Sequence, residues 1–190
     1  MNGTEALLAL VAALDEASIP YMIVGSYSSN FYGIPRSTKD ADLVLHLPST
    51  GWAKLPSLLP AGIHMEEQMG FEMVTSTRKE LLRVEGSLFE IELFHLSEDA
   101  HDQSRFTRRR RIEIFPGSFV WLPTPEDVVV QKLRWSKGAQ RSKDFADAVA
   151  VLKVQGKFLD WTYIEDWSRR HGTLDLLSEA KTEASPAWEN

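Results

Sequence analysis

Cysteine is absent from this chain of 190 residues, and its absence excludes several classes of chemistry at once. Without cysteine the protein has no disulfide framework, no thiolate nucleophile and no cysteine-ligated zinc site. The five histidines do not compensate, because their spacing matches no zinc-binding pattern. The sequence therefore favours chemistry carried out by oxygen and nitrogen side chains.

Long hydrophobic runs are also lacking. No segment approaches the roughly 18 consecutive apolar residues that a membrane span requires, and residues 1–30 contain no basic segment followed by an apolar cleavage region. A composition of 43% hydrophobic and 25% charged residues is typical of a globular protein with a substantial core. These features predict a cytoplasmic protein without a membrane partner and leave its oligomeric state unspecified.

An excess of positive charge is missing as well, since the formal net charge is −6. Sequence-independent binding of nucleic acid over the whole surface needs a positive field, which this balance does not provide. One basic cluster nevertheless stands out: Arg105, Arg108, Arg109, Arg110 and Arg111. It is interpreted either as a binding patch for an RNA or protein acceptor or as a charged sheet edge that resists aggregation.

Hydrophobic periodicity and turn residues predict an α+β fold, with a mixed β-sheet, flanking helices and a helical C-terminal third. The domain boundary is expected near residue 122, which gives an α/β core over 1–122 and a helical region over 123–190. The predicted helices are 5–17, 27–32, 51–59, 125–137, 141–155, 161–171 and 174–182. The predicted strands are 21–24, 41–47, 71–75, 81–85, 88–96, 111–115 and 118–121.

Two acidic residues, Asp40 and Asp42, open the second predicted strand. Side chains alternate along a strand, so carboxylates at positions i and i+2 point to the same face. Two like charges this close repel unless a cation lies between them, and Mg²⁺ prefers carboxylate and phosphate oxygens. The pattern indicates either a divalent metal site or a solvated strand end with two surface acids.

A glycine and a serine, Gly25 and Ser26, lie where the first strand is expected to pass into a helix. Glycine lets the backbone approach a ligand closely, and a helix N-terminus offers unpaired N–H groups to an anion. A Gly-Ser pair alone is more often a structural turn. Followed by a strand that opens with Asp-x-Asp, it predicts a phosphate-binding turn beside a metal site.

These motifs resemble the nucleotidyltransferase superfamily related to DNA polymerase β. The resemblance rests on Gly25-Ser26 after an apolar strand and on Asp40-Ala41-Asp42 after a short gap. Later segments are similar to bacterial members, including the toxin-type transferases of abortive-infection systems. Those segments are 105–110, 125–127, 132–135 and 141–147.

The resemblance implies a third metal-binding acid on a neighbouring strand. Glu90 and Glu92 fall on one face of the predicted strand 88–96, so periodicity does not distinguish them. Glu92 is favoured because its surroundings, Ile91-Glu92-Leu93-Phe94, best match the apolar-acid-apolar pattern of the family. Glutamates on the solvated side of a half-exposed strand are the structural alternative.

The implied reaction transfers an NMP group from an NTP such as ATP to a hydroxyl of RNA, protein or a small molecule. In the family two Mg²⁺ or Mn²⁺ ions lower the pKa of the acceptor hydroxyl and stabilise the departing pyrophosphate. Here Asp40, Asp42 and Glu92 would hold the ions, and Gly25 and Ser26 would bind the phosphates.

Four further charged residues are expected to contact the nucleotide: Arg36, Lys39, Lys132 and Asp144. The alternative is that they are ordinary surface charges. Asp144 and Asp147, at positions i and i+3 on one helix face, are expected either to orient Lys132 or the nucleotide or to form a solvated stripe with Arg141. The main rival to the enzyme is a non-catalytic nucleotide-binding member of the fold that acts as a sensor or toxin–antitoxin partner.

Overall fold

The computed structural model describes residues 1–68, 70–139 and 142–188. The chain forms two compact units. The first comprises Met1–Val24 and Thr38–Leu122, and the second comprises Gly25–Ser37 and Pro123–Asn190. The first unit therefore differs from the predicted domain 1–122 by the segment Gly25–Ser37, which groups with the C-terminal residues.

The elements over the described residues confirm the predicted α+β fold with a mixed sheet. The strands are β1 Tyr21–Val24, β2 Asp40–Leu45, β3 Ile63–Met65, β4 Gly70–Glu72, β5 Thr77–Val84, β6 Glu90–His95, β7 Arg110–Phe115 and β8 Ser118–Leu122. The α-helices are α1 Gly3–Glu16, α2 Gly25–Tyr32, α3 Ser49–Lys54, α4 Ala100–Arg108, α5 Pro125–Ala139, α6 Ser142–Gln155, α7 Trp161–His171 and α8 Leu174–Ala184. Short 3₁₀ turns cover Leu55–Leu58, Gly156–Phe158 and Ser185–Trp188.

The main sheet of the first unit has the strand order β1-β2-β6-β5-β3, and β4 also pairs with β5. Strands β2 and β6 are parallel, whereas the other pairs are antiparallel. All four residues of β1 are buried, as expected for its continuous apolar run. The two parallel strands therefore lie side by side inside the sheet, and both begin with acidic residues.

Helix α1 begins with a capping box, in which the Asn2 side chain accepts a hydrogen bond from the Glu5 N–H and the Glu5 side chain accepts one from the Asn2 N–H. Its apolar face contributes to the core of the first unit. The buried residues are Ala6, Leu7, Leu10, Val11 and Leu14.

The predicted strand 71–75 is wrong beyond Glu72. The Glu72 carboxylate accepts hydrogen bonds from the N–H groups of Val74 and Thr75, both at 2.7 Å, and from the Thr75 hydroxyl at 2.6 Å. Ser76 follows with a positive φ of 53°. These local bonds satisfy the backbone within a turn, so the chain does not continue the strand.

The predicted helix 51–59 begins earlier and changes character. Its α-helical part is α3, and Leu55–Leu58 form a 3₁₀ turn. Pro56 accounts for the change because proline has no N–H to continue an α-helix.

The sequence pattern predicts neither β3 nor α4. Asp99 is the N-cap of helix α4, and its carboxylate accepts hydrogen bonds from the N–H groups of His101 and Asp102 at 3.0 and 3.2 Å.

The second unit contains α2 and the helices from α5 onward. Helix α7 has the predicted bounds, with the Asp160 carboxylate capping the Tyr163 N–H at 3.0 Å and Gly172 ending the helix at φ 65°. Helix α5 continues through Gly138 to Ala139 rather than ending at Lys137. Arg141, the predicted first residue of the next helix, lies outside the described residues.

Contacts within the second unit explain why Gly25–Ser37 belongs to it. The Tyr32 hydroxyl donates to the Pro123 carbonyl at 2.9 Å, and the Gln155 side chain donates to the Tyr32 carbonyl at 3.0 Å. At Gly33 a Cβ atom would lie 2.8 Å from the Val151 nitrogen, so only glycine permits this approach to α6.

No helix in the described part of the chain combines the length and the hydropathy that crossing a membrane would require.

Candidate active site

The acidic residues predicted for the metal site lie on one face of the two parallel strands in the first unit. Asp40 is paired in register with Glu90, and Asp42 is paired with Glu92. All four are half-buried. Because residues in register on neighbouring strands project to the same side of a sheet, the structure brings the four carboxylates onto one surface, here called the acidic face.

The opposite face of the same strands is apolar and fixes this arrangement. Ala41, Leu43, Ile91 and Leu93 are at most 1% exposed. A shift of either strand by one residue would bury the acids and expose these side chains. Core packing therefore determines which way the carboxylates point.

Asp40, Glu90 and Glu92 are each held by a neighbour in the first unit. The Thr38 hydroxyl donates to Asp40 Oδ1 at 2.6 Å. Lys79 Nζ donates to Glu92 Oε1, also at 2.6 Å. Arg83 forms an ion pair with Glu90. The two basic residues come from β5, so a row of positive charge flanks the acidic face.

The donor set of the acidic face fits a hard divalent cation, because Mg²⁺ and Mn²⁺ are bound by carboxylate oxygens. Asp42 and Glu92 are direct register partners, which is the closest pairing that two parallel strands provide. Over residues 1–68, 70–139 and 142–188, no three Asp, Glu or His side chains converge as ligands of one ion. In this arrangement Lys79 supplies the positive charge beside Glu92.

The Gly-Ser motif lies at the start of α2 in the second unit. Gly25 has a positive φ of 61°, a conformation that favours glycine. Its carbonyl accepts hydrogen bonds from Ser28 and Ser29 at 2.9 and 3.3 Å. Ser26 is buried, and its Oγ accepts a hydrogen bond from Arg36 Nη2 at 3.0 Å.

Arg36 is held by Asp147 through a two-pronged ion pair. Its Nε donates to Asp147 Oδ1 at 2.7 Å, and its Nη2 donates to Asp147 Oδ2 at 2.8 Å. The backbone of Arg36 is fixed by Asn30, whose side-chain oxygen accepts from the Arg36 N–H at 3.0 Å and whose Nδ2 donates to the Arg36 carbonyl at 2.7 Å. The guanidinium therefore has a defined position although its side chain is 37% exposed.

Lys132 completes this cluster from α5. Its Nζ donates to Asp144 Oδ1 at 2.8 Å and to Asp147 Oδ2 at 2.7 Å. Burial acts to raise the pKa of Asp147, but the hydrogen bonds and charges of Arg36 and Lys132 outweigh burial and hold that pKa below its ordinary value. Asp144 and Asp147 are buried on one face of α6, so the solvated stripe considered from the sequence is wrong.

The basic cluster is not one exposed patch. Arg105 is 5% exposed and its Nε donates to Asp102 at 2.8 Å. The guanidinium carbon of Arg109 lies 4.1 and 4.9 Å from the ring centres of Phe106 and Trp121. Burial lowers the pKa of Arg109. The exposed basic surface is therefore smaller than the predicted patch, and it includes Arg110 and Arg111 on β7.

Sequence reasoning misses Lys79, Thr38 and the partnership of Asp147 with Arg36. Lys79 lies on β5, and the pairing of β5 with β6 brings it beside Glu92. No feature of the sequence around Lys79 indicates this contact. Arg36 and Asp147 are 111 residues apart. Thr38 is different, because a hydroxyl two residues before an aspartate is a recognisable local bonding pattern. Lys39, a predicted nucleotide contact, is exposed beside Asp40.

Comparison of the sequence with protein-family models and with curated proteins gives no match. Solved structures do resemble the chain. The solution structure of the antibiotic-resistance factor ANT(2″)-Ia gives a TM-score of 0.61 at 14% identity, covering 94% of this chain and 97% of that chain. A crystal structure of ANT(2″)-Ia in complex with adenylyl-2″-tobramycin gives a TM-score of 0.58 at 14% identity, covering 88% and 97%.

A nucleotidyltransferase-like protein from Paracoccidioides brasiliensis is also similar, with a TM-score of 0.54, 22% identity and 99% of each chain covered. These likenesses show that the chain has the nucleotidyltransferase fold. At these identities the shared property is the fold.

Proposed function

We propose that this protein is a metal-dependent nucleotidyltransferase of the cytoplasm that moves an NMP group from an NTP to a hydroxyl acceptor. The observation that carries the proposal is the acidic face, with Asp40 and Asp42 on one strand and Glu92 in register with Asp42 on the parallel neighbour. A fold alone does not define an activity, whereas the carboxylates are the groups that the reaction requires.

Asp40, Asp42 and Glu92 would hold the divalent ions. When bound, Mg²⁺ or Mn²⁺ supplies a Lewis acid that favours ionisation of the acceptor hydroxyl and stabilises charge on the leaving group. The acceptor oxygen forms a bond to the α-phosphorus of the NTP, and the bond from that phosphorus to the bridging oxygen breaks. The β- and γ-phosphates leave as pyrophosphate, and the hydroxyl proton passes to a carboxylate of the acidic face or to water.

Glu92 is preferred to Glu90 as the third acid. Glu92 is the register partner of Asp42, the acid nearer the middle of β2. Glu90 is the partner of Asp40 and forms an ion pair with Arg83, which itself also bonds Glu66 at 3.1 Å. Glu90 therefore belongs to a wider surface network of charges.

The residues predicted from the sequence to contact the nucleotide keep that role in this proposal. Gly25 and Ser26 would bind its phosphates through backbone N–H groups and the serine hydroxyl. Arg36 would pair with phosphate oxygens through its exposed side. Supporting roles go to Lys39, which is exposed, and to the buried pair Lys132 and Asp144.

The acceptor is a hydroxyl of RNA, protein or a small molecule. The ANT(2″)-Ia structure with adenylyl-2″-tobramycin supports including an amino-sugar alcohol among the candidates. An RNA or protein acceptor would agree with the resemblance to toxin-type transferases, and the exposed arginines of β7 would then contact it.

The test is transfer of label from each α-labelled NTP, with Mg²⁺ or Mn²⁺, to total RNA, total protein or tobramycin. We expect one acceptor class to be labelled by the wild-type protein. The Asp42→Asn variant should lose at least about a hundredfold of this activity, because metal-assisted charge stabilisation contributes several kcal/mol to the transition state. Glu98→Gln, which changes an exposed acid, should retain it.

Tight NTP binding without transfer in any mixture would replace this proposal with the non-catalytic sensor or toxin–antitoxin partner. Transfer that persists in Asp42→Asn would show that the acidic face is not the metal site.

A further inference from the structure

We propose that Asp147 is a positioning residue that sets Arg36 and Ser26 for binding the phosphates of the nucleotide. This inference rests on the proposed function. Asp147 touches no reacting atom in this scheme and acts through the arginine.

A continuous chain of hydrogen bonds within the second unit carries the inference. Asp147 binds both Nε and Nη2 of Arg36, and the same Nη2 reaches Ser26 Oγ at 3.0 Å. The two-pronged bond fixes the plane of the guanidinium, because two parallel donors meet two carboxylate oxygens. The plane of the guanidinium in turn fixes where Nη2 meets the serine.

The direction of the hydrogen bond from Arg36 to Ser26 determines where the serine hydroxyl proton points. Arg36 is always a donor, so Ser26 Oγ is the acceptor in this bond. The hydroxyl proton must then point away from the guanidinium. A serine held in this way presents a donor, which is the group that a phosphate oxygen needs.

Burial and charge balance explain why Asp147 can hold Arg36 in a fixed position. Asp147 is 5% exposed and also accepts a bond from the buried Lys132. The cluster of Arg36, Lys132, Asp144 and Asp147 has two positive and two negative charges, so the buried carboxylates are neutralised. Arg36 remains partly exposed at the edge of this neutral cluster, where an anion can reach it.

The test measures binding of non-hydrolysable NTP analogues, with Mg²⁺ and no acceptor, to wild-type protein and to Asp147→Asn. Asparagine keeps the shape but removes the charge and one acceptor oxygen. We expect the dissociation constant to rise about tenfold or more, since bonds to charged groups are the stronger class. Arg36→Lys should show a similar loss because lysine has no fork, and the double variant should lose little more than either single one.

The matched control is Asp127→Asn, which alters another buried carboxylate of the second unit. Asp127 accepts bonds from Thr124 at 2.8 Å and Tyr163 at 2.5 Å. Its substitution should lower the unfolding temperature to a similar extent while changing nucleotide affinity less than about threefold. A purely structural role of Asp147 would predict equal losses of affinity in the two variants.

Two results would overturn the inference in distinguishable ways. Wild-type protein that binds no NTP analogue would remove the proposed function and this inference together. Wild-type protein that binds the analogues, with Asp147→Asn binding equally well or no worse than Asp127→Asn, would remove this inference alone.

Discussion

Single ion pairs on the acidic face would compete with the proposed metal ion for the same carboxylates. Lys79 lies 2.6 Å from Glu92, and both side chains are about one-third exposed, at 32% and 27%. An ion pair of this exposure contributes roughly 0–1 kcal/mol. A divalent ion bound as proposed would therefore displace the lysine at small cost, and the lysine would compete measurably with the ion.

Removing this competitor should strengthen metal binding. In Lys79→Met the aliphatic stem remains while the charge is lost, so Glu92 is released toward the ion. We expect Mn²⁺ affinity, measured by titration of the free-ion electron paramagnetic resonance signal, to increase by up to about fivefold.

The matched variant is Arg83→Met, which releases Glu90 in the same way. An increase in Mn²⁺ affinity in Arg83→Met but not in Lys79→Met would identify Glu90 as the third acid. No change in either variant would argue that neither glutamate binds the metal.

The sequence predicts the orientation of the acids better than it predicts the identity of the third acid. Alternation of side chains along the strand places Asp40 and Asp42 on one face, and the core on the opposite face enforces this orientation. The choice between Glu90 and Glu92 depends on the register of two strands about fifty residues apart, which alternation cannot supply. The same non-local pairing brings Lys79 to Glu92.

Among the elements, those with strong local signals are predicted closely. Strand β1 has a continuous apolar run, and α7 has an aspartate before it and a glycine after it. Helix α4 is missed because its nine residues are mainly polar and its interior contacts include the Asp102–Arg105 ion pair. Strand β3 is missed because three residues contain too little pattern, and its partner on β5 lies about twenty residues away.

The cap of α7 makes a prediction at this scale. The Asp160 carboxylate accepts the Tyr163 N–H at 3.0 Å, so Asp160→Ala leaves that donor unsatisfied. We expect the free energy of unfolding, measured by urea denaturation, to fall by about 1 kcal/mol.

Asp166→Ala on the same helix provides the comparison. Asp166 pairs with Arg169 at 2.7 Å, but both side chains are more than half exposed, at 56% and 61%. Its loss should change the free energy of unfolding by about 0.5 kcal/mol or less. Equal effects of the two substitutions would show that the cap contributes nothing beyond a surface charge.

At the scale of the whole molecule, most of the predicted site residues form two groups, one in each unit. The acids proposed to bind the metal belong to the first unit, and the Gly-Ser motif with the Arg36–Asp147 pair belongs to the second. Substitutions at Lys79 should therefore act on metal affinity, and substitutions at Asp147 on nucleotide affinity. Measuring both affinities in both variants separates the two contributions before any acceptor is known.

The response of stability to alkali should depend on Tyr21, which is fully buried in β1. Burial, followed by the charge of Asp15, raises the pKa of Tyr21, and the Trp121 backbone, Arg111 and Arg109 oppose this only partly. The folded state therefore keeps the neutral phenol after the unfolded chain ionises near pH 10. The stability associated with Tyr21 is complete below about pH 10 and is lost as the pH rises toward the folded-state pKa.

Tyr21→Phe removes this ionisation while keeping the ring. We expect the difference in free energy of unfolding between variant and wild type to be constant from pH 7 to 9. By pH 11 it should shift by about 1 kcal/mol in favour of the variant, because the wild type loses that much as its unfolded chain ionises. Urea denaturation at each pH measures the difference. A difference independent of pH up to 11 would mean that Tyr21 ionises equally in the folded and unfolded chain, and that the strand is open to water.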